Sequence, residues 1–295
     1  MTAATGLVVT PFPVGVGADV SGVNLARPTD AEAKAIEQAW HRHLVLRFRG
    51  QTLTDPELMA FSRLFGPLDR VPIRAAGVVD IHDTRTGVAP EAQEWVNIIS
   101  NVKIDGIPIG GLANLEAHWH SDMSYNDIPP MASVLYSLEV PPEGGNTSFA
   151  DMYQAYDALD EATKRRIEGM ICIHDSSRNS VGELRMGFKE VTDPSQTPGA
   201  RHPVVRTHPA TGRKCLFLGR RLGAYLVGLS VPDSEALLDV LWEAATRPAF
   251  RWTQVWQVGD VVMWDNRCTL HQRDDFDDRY RRVMHRTQIV GDRPY

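Results

Sequence analysis

Hydrophobic residues in this chain recur with two different periods, and the switches between them mark out its elements. Around residues 14–23, short Val-rich pieces are interrupted by Gly15, Gly17 and Gly22, the pattern of strands punctuated by turns. The period then lengthens, and Ala33, Ile36 and Trp40 fall on one face of a helix in DAEAKAIEQAWHRH. Thr29 is placed to cap that helix, and Glu32, three residues on, completes a capping box. His41 and His43 fall at its C-terminal end, where the helix dipole favours histidine without any ligand. Residues 44–48 read as a strand. Thr54 and Glu57 repeat the box at a second helix, DPELMAFSRLF; Pro56 costs no donor in its first turn and Gly66 stops it.

Residues 67–117 carry only scattered apolar runs, a hairpin signal at Asp105-Gly106 and a Gly110-Gly111 pair, which suggests a loop-rich lid over a site. A strand follows over 132–140, ending at the turn Pro141 to Gly145. Asp151 opens a helix that breaks near Asp160, and the polar stretch 176–202 reads as a second mobile loop. Strands near 204–205 and 215–218, a helix from about 233 to 246, and strands over 250–257, 260–264 and 282–290 close the chain. Many short strands with a few outer helices predict a mostly β, α+β protein: one domain over 1–295 on a double-stranded β-helix (jelly-roll, cupin-like) core.

Bulk composition changes the picture little. Hydrophobic content of 43% and charged content of 23% are ordinary for a globular chain of 295 residues. A net charge of −6 argues against nucleic acid as a partner but permits a locally positive pocket for a small anion. Cys172, Cys215 and Cys268 are widely spaced, which suggests neither a zinc knuckle nor a disulfide framework but free thiols in a reducing cytoplasm. No apolar run is long enough for a membrane span, and the N-terminus has no signal-peptide pattern, so a cytoplasmic location is expected.

The chemistry concentrates in His120-Ser121-Asp122 and a distant His271. In a strand, residues two apart share a face, so His120 and Asp122 can converge on one ion, with the third ligand coming from elsewhere. Two imidazoles and one carboxylate are the ligand set of a non-haem Fe(II) oxygenase with open positions. A zinc hydrolase could use the same set, but no candidate general base stands out. A non-catalytic metal sensor is the other alternative.

Four motifs stand in a fixed order: Trp119-His120-Ser121-Asp122, Gly144-Gly145-Asn146-Thr147, Trp264-Asp265-Asn266-Arg267 running on to His271, and Arg281-Arg282-Val283-Met284-His285-Arg286. In that order and spacing the chain resembles the taurine and 2,4-dichlorophenoxyacetate dioxygenase family. The likeness runs from the segment 17–25 (Gly-Ala-Asp-Val-Ser-Gly-Val-Asn-Leu) to the final Gly291-Asp292-Arg293-Pro294. It implies an enzyme using Fe(II), 2-oxoglutarate and O2, with His120, Asp122 and His271 on the metal. Arg282 and Thr147 would hold the distal carboxylate of 2-oxoglutarate, as a planar guanidinium suits; the structural alternative for Arg282 is an ion pair with an acid from 274–278. Arg286, four residues on, shares the strand face of Arg282 and would hold the substrate's own anion, whereas His285 points the other way. His118 has the strand parity of His120 and is a candidate pocket residue. Trp119 and Trp264 read as packing residues. Retention of Asp122 implies hydroxylation or a related desaturation rather than halogenation, and homo-oligomers are common in the family.

The substrate is the least legible part. Positions that touch taurine in taurine-specific members fall on Val71 and Glu116 here, which points away from taurine. The stretches 65–73 and 149–152 look closer to aryloxyalkanoate dioxygenases. A small carboxylate with an apolar body is therefore expected, with a sulfonate or alkyl sulfate ester as the alternative.

Overall fold

The computed structural model describes residues 6–71, 87–112, 114–115 and 117–295. Two sheets build the frame. The larger runs, in spatial order, Val8–Pro11, Ala18–Ser21, Val45–Phe48, Val261–Asp265, Ala132–Glu139, Val283–Ile289, Asn97–Ser100 and Gly111–Leu112. The smaller runs Arg251–Gln254, Thr147–Asp151, Thr269–Arg273 and Ala117–His120, all antiparallel. Strands far apart in sequence alternate in space, so that Val261–Asp265 lies between Val45–Phe48 and Ala132–Glu139.

Central strands of the large sheet are apolar on both sides, and this is why they read as continuous hydrophobic runs. In the strand Val261–Asp265, Val261 and Met263 face the helices Asp30–His43 and Asp55–Arg63, packing with Ile36, Trp40, Leu58 and Phe61. Val262 and Trp264 face the small sheet, where Phe149 and Leu270 meet them. Phe149 is fully buried, with its ring centroid 5.4 Å from that of Trp264; burying such a side chain is worth about 2–3 kcal/mol. A further layer, including the helices Met152–Asp157 and Val231–Ala245, packs on the same inner core.

Both capping boxes form: Thr29 with Glu32, and Thr54 with Glu57. The helix after Asp151 breaks where expected, into Met152–Asp157 and Glu161–Ile167, with Asp160 capping the second piece. Asp105 and Gly106 both have positive φ (52° and 80°), the conformation a two-residue hairpin turn of the primed type requires. One expectation needs correction. Residues 97–100 are not lid but a buried strand of the large sheet, with Ile98 and Ile99 in its two cores. Flanking loops hid that strand, because only four residues carry its pattern. No helix among the described residues is long and apolar enough to cross a membrane.

Candidate metal centre and anion pocket

Between the sheets lies a cavity of about 220 Å³, and the structure brings His120, Asp122 and His271 together in its wall. His120 ends the strand Ala117–His120 and pairs across the small sheet with His271, their ring centroids 4.2 Å apart. Both imidazole Nε2 atoms approach one oxygen of Asp122, at 3.8 Å from His120 and 3.9 Å from His271. His120 Nδ1 lies 2.7 Å from the carbonyl oxygen of His118; donating there, it leaves the Nε2 lone pair for an ion. Burial pulls the His120 pKa down to about 4 and, with His120 as neighbour, that of His271 to about 3. Both rings are therefore neutral at ordinary pH, the form that ligates a metal. Burial alone would raise Asp122, but Arg286, the two histidines and Ser133 hold its carboxyl well below the usual range.

Strand alternation is not how Asp122 arrives. It lies in the turn after the strand, just before Met123, whose φ is +46°. A relay fixes it there: Trp264 Nε1 donates to Asn266 Oδ1 (2.9 Å), Asn266 Nδ2 to Ser133 Oγ (3.1 Å), and Ser133 Oγ to Asp122 Oδ2 (2.7 Å). Ser121 Oγ donates to the Asn266 carbonyl at 2.8 Å. Asp265 and Arg267 of the same motif form a separate buried pair, with Arg267 donating through both Nε and Nη2. A second cluster, His208, Asp265 and Cys268, is not a metal site. His208 Nε2 bonds Asp265 at 3.0 Å and its Nδ1 accepts two backbone N–H groups, so neither ring nitrogen is available.

Behind the histidines the cavity is cationic. Arg282 is 1% exposed, yet its Nε and Nη1 have no hydrogen-bond partner among the described residues. The alternative ion pair with an acid from 274–278 does not form among the described residues. A buried guanidinium left in this state is a strong demand for an anion. Thr147 stands in the same wall; its Oγ1 accepts Trp256 Nε1–H at 3.0 Å, which leaves the hydroxyl proton to donate elsewhere. Arg286 also faces the cavity and donates through Nη1 to Asp122 Oδ1 at 2.8 Å. His285 turns away and bonds Asp55 Oδ1 at 2.6 Å.

Two of the three other expected pocket residues are not brought to this cavity. His118 is exposed and lines a neighbouring outer cleft instead. The cause is a bulge: His271 pairs with His120 but Arg273 with Ala117, so the edge strand holds one extra residue and its parity flips. Val71 is half-buried, its N–H donating to the Glu94 carbonyl away from the cavity. Glu116 lies outside the described residues.

Other residues gather here without having been expected, among them Arg185, Arg220, Arg273 and Tyr125. Arg220 bridges to His120 and donates Nη2 to the carbonyls of Asp175 (3.0 Å) and Arg178 (2.8 Å) and Nη1 to that of Asn179. It thereby fastens the start of the 176–202 loop over the cavity, and the Ser180 carbonyl accepts the N–H of His118. Arg185 from the same loop lies 3.9 Å from the ring centre of Tyr125.

A mainly β frame that presents two neutral imidazoles and a carboxylate beside buried, anion-seeking guanidiniums defines a metal-dependent enzyme pocket of the oxygenase class. Comparison with known proteins places it more narrowly. Residues 9–288 match the model of the taurine catabolism dioxygenase TauD, TfdA family, and the chain belongs to that family. It is 32% identical to an (S)-phenoxypropionate/alpha-ketoglutarate-dioxygenase of Delftia acidovorans, over 97% of this chain and 96% of that one. It is 35% identical to an alpha-ketoglutarate-dependent 2,4-dichlorophenoxyacetate dioxygenase of Burkholderia sp. (strain RASC), over 89% and 87%. Among solved structures, a taurine dioxygenase from Burkholderia xenovorans superposes with a TM-score of 0.76 at 32% identity, covering 98% of this chain and 91% of that one.

Proposed function

We propose that this chain is an Fe(II)- and 2-oxoglutarate-dependent dioxygenase that hydroxylates a small organic carboxylate with an apolar body, an aryloxyalkanoate being favoured. The observation that carries the reading is the pairing of the His120–Asp122–His271 cluster with the unpartnered, buried guanidinium of Arg282 in one cavity. A zinc hydrolase has no use for the second half of that pair. His120, Asp122 and His271 would hold the iron; Arg282 and Thr147 would hold the distal carboxylate of 2-oxoglutarate. Bound together, iron and 2-oxoglutarate supply the activation of O2, with succinate and CO2 as the by-products.

The chain's own residues do the rest. Trp264, Asn266 and Ser133 fix the carboxylate of Asp122, and the His118 carbonyl fixes the His120 tautomer. Arg286 orients the substrate's anion, while Ile99, Leu135 and Trp264 give its body an apolar wall and exclude water. In this reading the two sheets are a double-stranded β-helix, the chain is one domain, and it assembles as a homo-oligomer.

The first test is spectroscopic. Anaerobic Fe(II) plus 2-oxoglutarate is expected to give a weak visible charge-transfer band in the wild type and none in His120→Ala, with a His43→Ala control, at the end of the helix Asp30–His43 and outside the cavity wall, unchanged. Absence of the band from the wild type would sink the oxygenase reading. Substrate-dependent succinate formation across aryloxyacids, sulfonates and sulfate esters then ranks the substrates. A preference for either sulfur class would replace the carboxylate assignment, and no turnover with any of them would favour a sensor.

A further inference from the structure

Oδ1 of Asp122 has more than one claimant. The Nε2 atoms of His120 and His271 converge on this oxygen, at 3.8 Å and 3.9 Å, so it is the oxygen turned toward the metal site. Arg286 Nη1 donates to the same atom at 2.8 Å. The other oxygen, Oδ2, accepts from Ser133. Arg286 reaches Oδ1 from within the large sheet, and the residues paired with it on the two flanking strands, Asn97 and Leu135, line the cavity with it. Its guanidinium is not fully used there, since Nε is buried without a hydrogen-bond partner among the described residues.

A divalent cation and a guanidinium on one carboxylate oxygen draw on the same electron density and repel each other across it. Asp122 is 4% exposed, so little water screens that repulsion. An anion brought to Arg286 reverses the balance: it offsets the positive charge, gives the guanidinium a second partner and leaves Oδ1 to the ion. The other acid lining the cavity among the described residues, Asp175, is already engaged, accepting from Ser177 and lying 3.7 Å from Arg220. We propose that Arg286 couples the two ligands of this site. It holds metal affinity down while the substrate's anion is absent, and the arriving anion tightens the metal by drawing the guanidinium to itself. By linkage, the metal tightens the anion by the same factor. This inference rests on the reading of the cavity as a metal centre that takes an anionic substrate, and it makes Arg286 a positioning residue for the metal through Asp122.

Calorimetric titration of Mn(II) into the full chain, without O2, measures the coupling. The anions are phenoxyacetate, hexanesulfonate and hexyl sulfate, each in excess, with phenoxyacetamide as a neutral isostere of the first. In the wild type, phenoxyacetate is expected to tighten Mn(II) by about 5–50-fold and phenoxyacetamide to leave it unchanged. With no anion present, Arg286→Gln should bind Mn(II) more tightly than the wild type by a similar factor, and the anions should then add nothing. A residue that merely propped Asp122 in place would give the opposite sign, a weaker metal. Arg286→Lys keeps the charge and should stay near the wild type. Arg286→Met removes it while filling more of the volume, and carries the same expectation as the glutamine variant should that one not fold. Unchanged or weaker Mn(II) binding in the uncharged variants overturns the proposal, as does an anion effect that survives in them or is missing for all three anions in the wild type. If only a sulfur anion acts, the coupling stands and the carboxylate assignment falls. If His120→Ala binds Mn(II) as well as the wild type, the metal-centre reading itself falls and takes the coupling with it.

Discussion

Arg282, just before the strand Val283–Ile289, and Arg286, within it, both line the cavity, but their surroundings give them different work. Arg282 is sealed in without a partner for Nε or Nη1, whereas Arg286 already spends Nη1 on the metal-site carboxylate and stands nearer the histidines. Arg282→Ala is therefore expected to raise the 2-oxoglutarate requirement by about 100-fold or more, with a much smaller effect on substrate. Arg286→Ala should do the reverse. Steady-state kinetics with each compound varied in turn measures this split, and equal effects in both variants would refute the division of labour. At this scale the sequence was informative wherever a residue sat inside a motif, as His120, Thr147, His271 and Arg282 do. Arg273 was legible in principle, two residues beyond His271 on a strand, but it lay in no motif. Arg220 carried no signal at all, since only the folded chain sets it against His120.

Among the elements, those with local causes were the legible ones. The capping boxes at Thr29 and Thr54, the break at Asp160 and the Asp105-Gly106 turn each depend on residues within a few positions of one another. Non-local features were not. The bulge that turns His118 outward arises from pairing with a strand about 150 residues away, and alternation alone gives the wrong face. The strand Asn97–Ser100 acquires its meaning only beside Val283–Ile289. The expected loop 176–202 ends earlier, at the strand Gly199–Pro203 that pairs with Ile171–Asp175, and it likewise depends on a distant tether, the three carbonyls held by Arg220. Arg220→Met is expected to free that loop, raising the substrate KM several-fold and speeding proteolysis within 176–202, while the visible metal band persists. Unaltered proteolysis would show that the loop is held by other contacts.

Taken whole, the molecule has a net charge of −6 and a cavity lined, among the described residues, by five arginines. A negative protein can thus present a positive funnel to a small anion, because low-dielectric walls concentrate the local field. The fold also stores an acid sensitivity. His174 is 1% exposed, and burial holds its pKa well below the ordinary value. Unfolding releases it to titrate near pH 6.5, so its contribution to stability is complete above that pH. As pH falls below about 6.5 the unfolded chain gains a proton that the folded chain does not, and stability drops by up to about 1.4 kcal/mol per pH unit for each such group. His202, also lowered by burial, acts in the same direction. The thermal midpoint should fall between pH 7 and pH 5, and less steeply in His174→Gln. An identical pH slope in that variant would remove His174 from the explanation.

The register that sets Thr147 opposite Arg273 and Phe149 opposite His271 also acts as a ruler. Two residues of strand advance about 6.6 Å, and backbone hydrogen bonds fix that interval far more rigidly than side-chain packing could. In the proposed reading, a molecule held at His271 and again beside Thr147 would have to match it. The sheet would then reject a dicarboxylic 2-oxoacid one methylene shorter or longer, such as oxaloacetate or 2-oxoadipate, at about tenfold or more in affinity. Equal binding of all three homologues would mean that the interval is not being read. Chain length in the cosubstrate would thus be measured by the pitch of a β-strand.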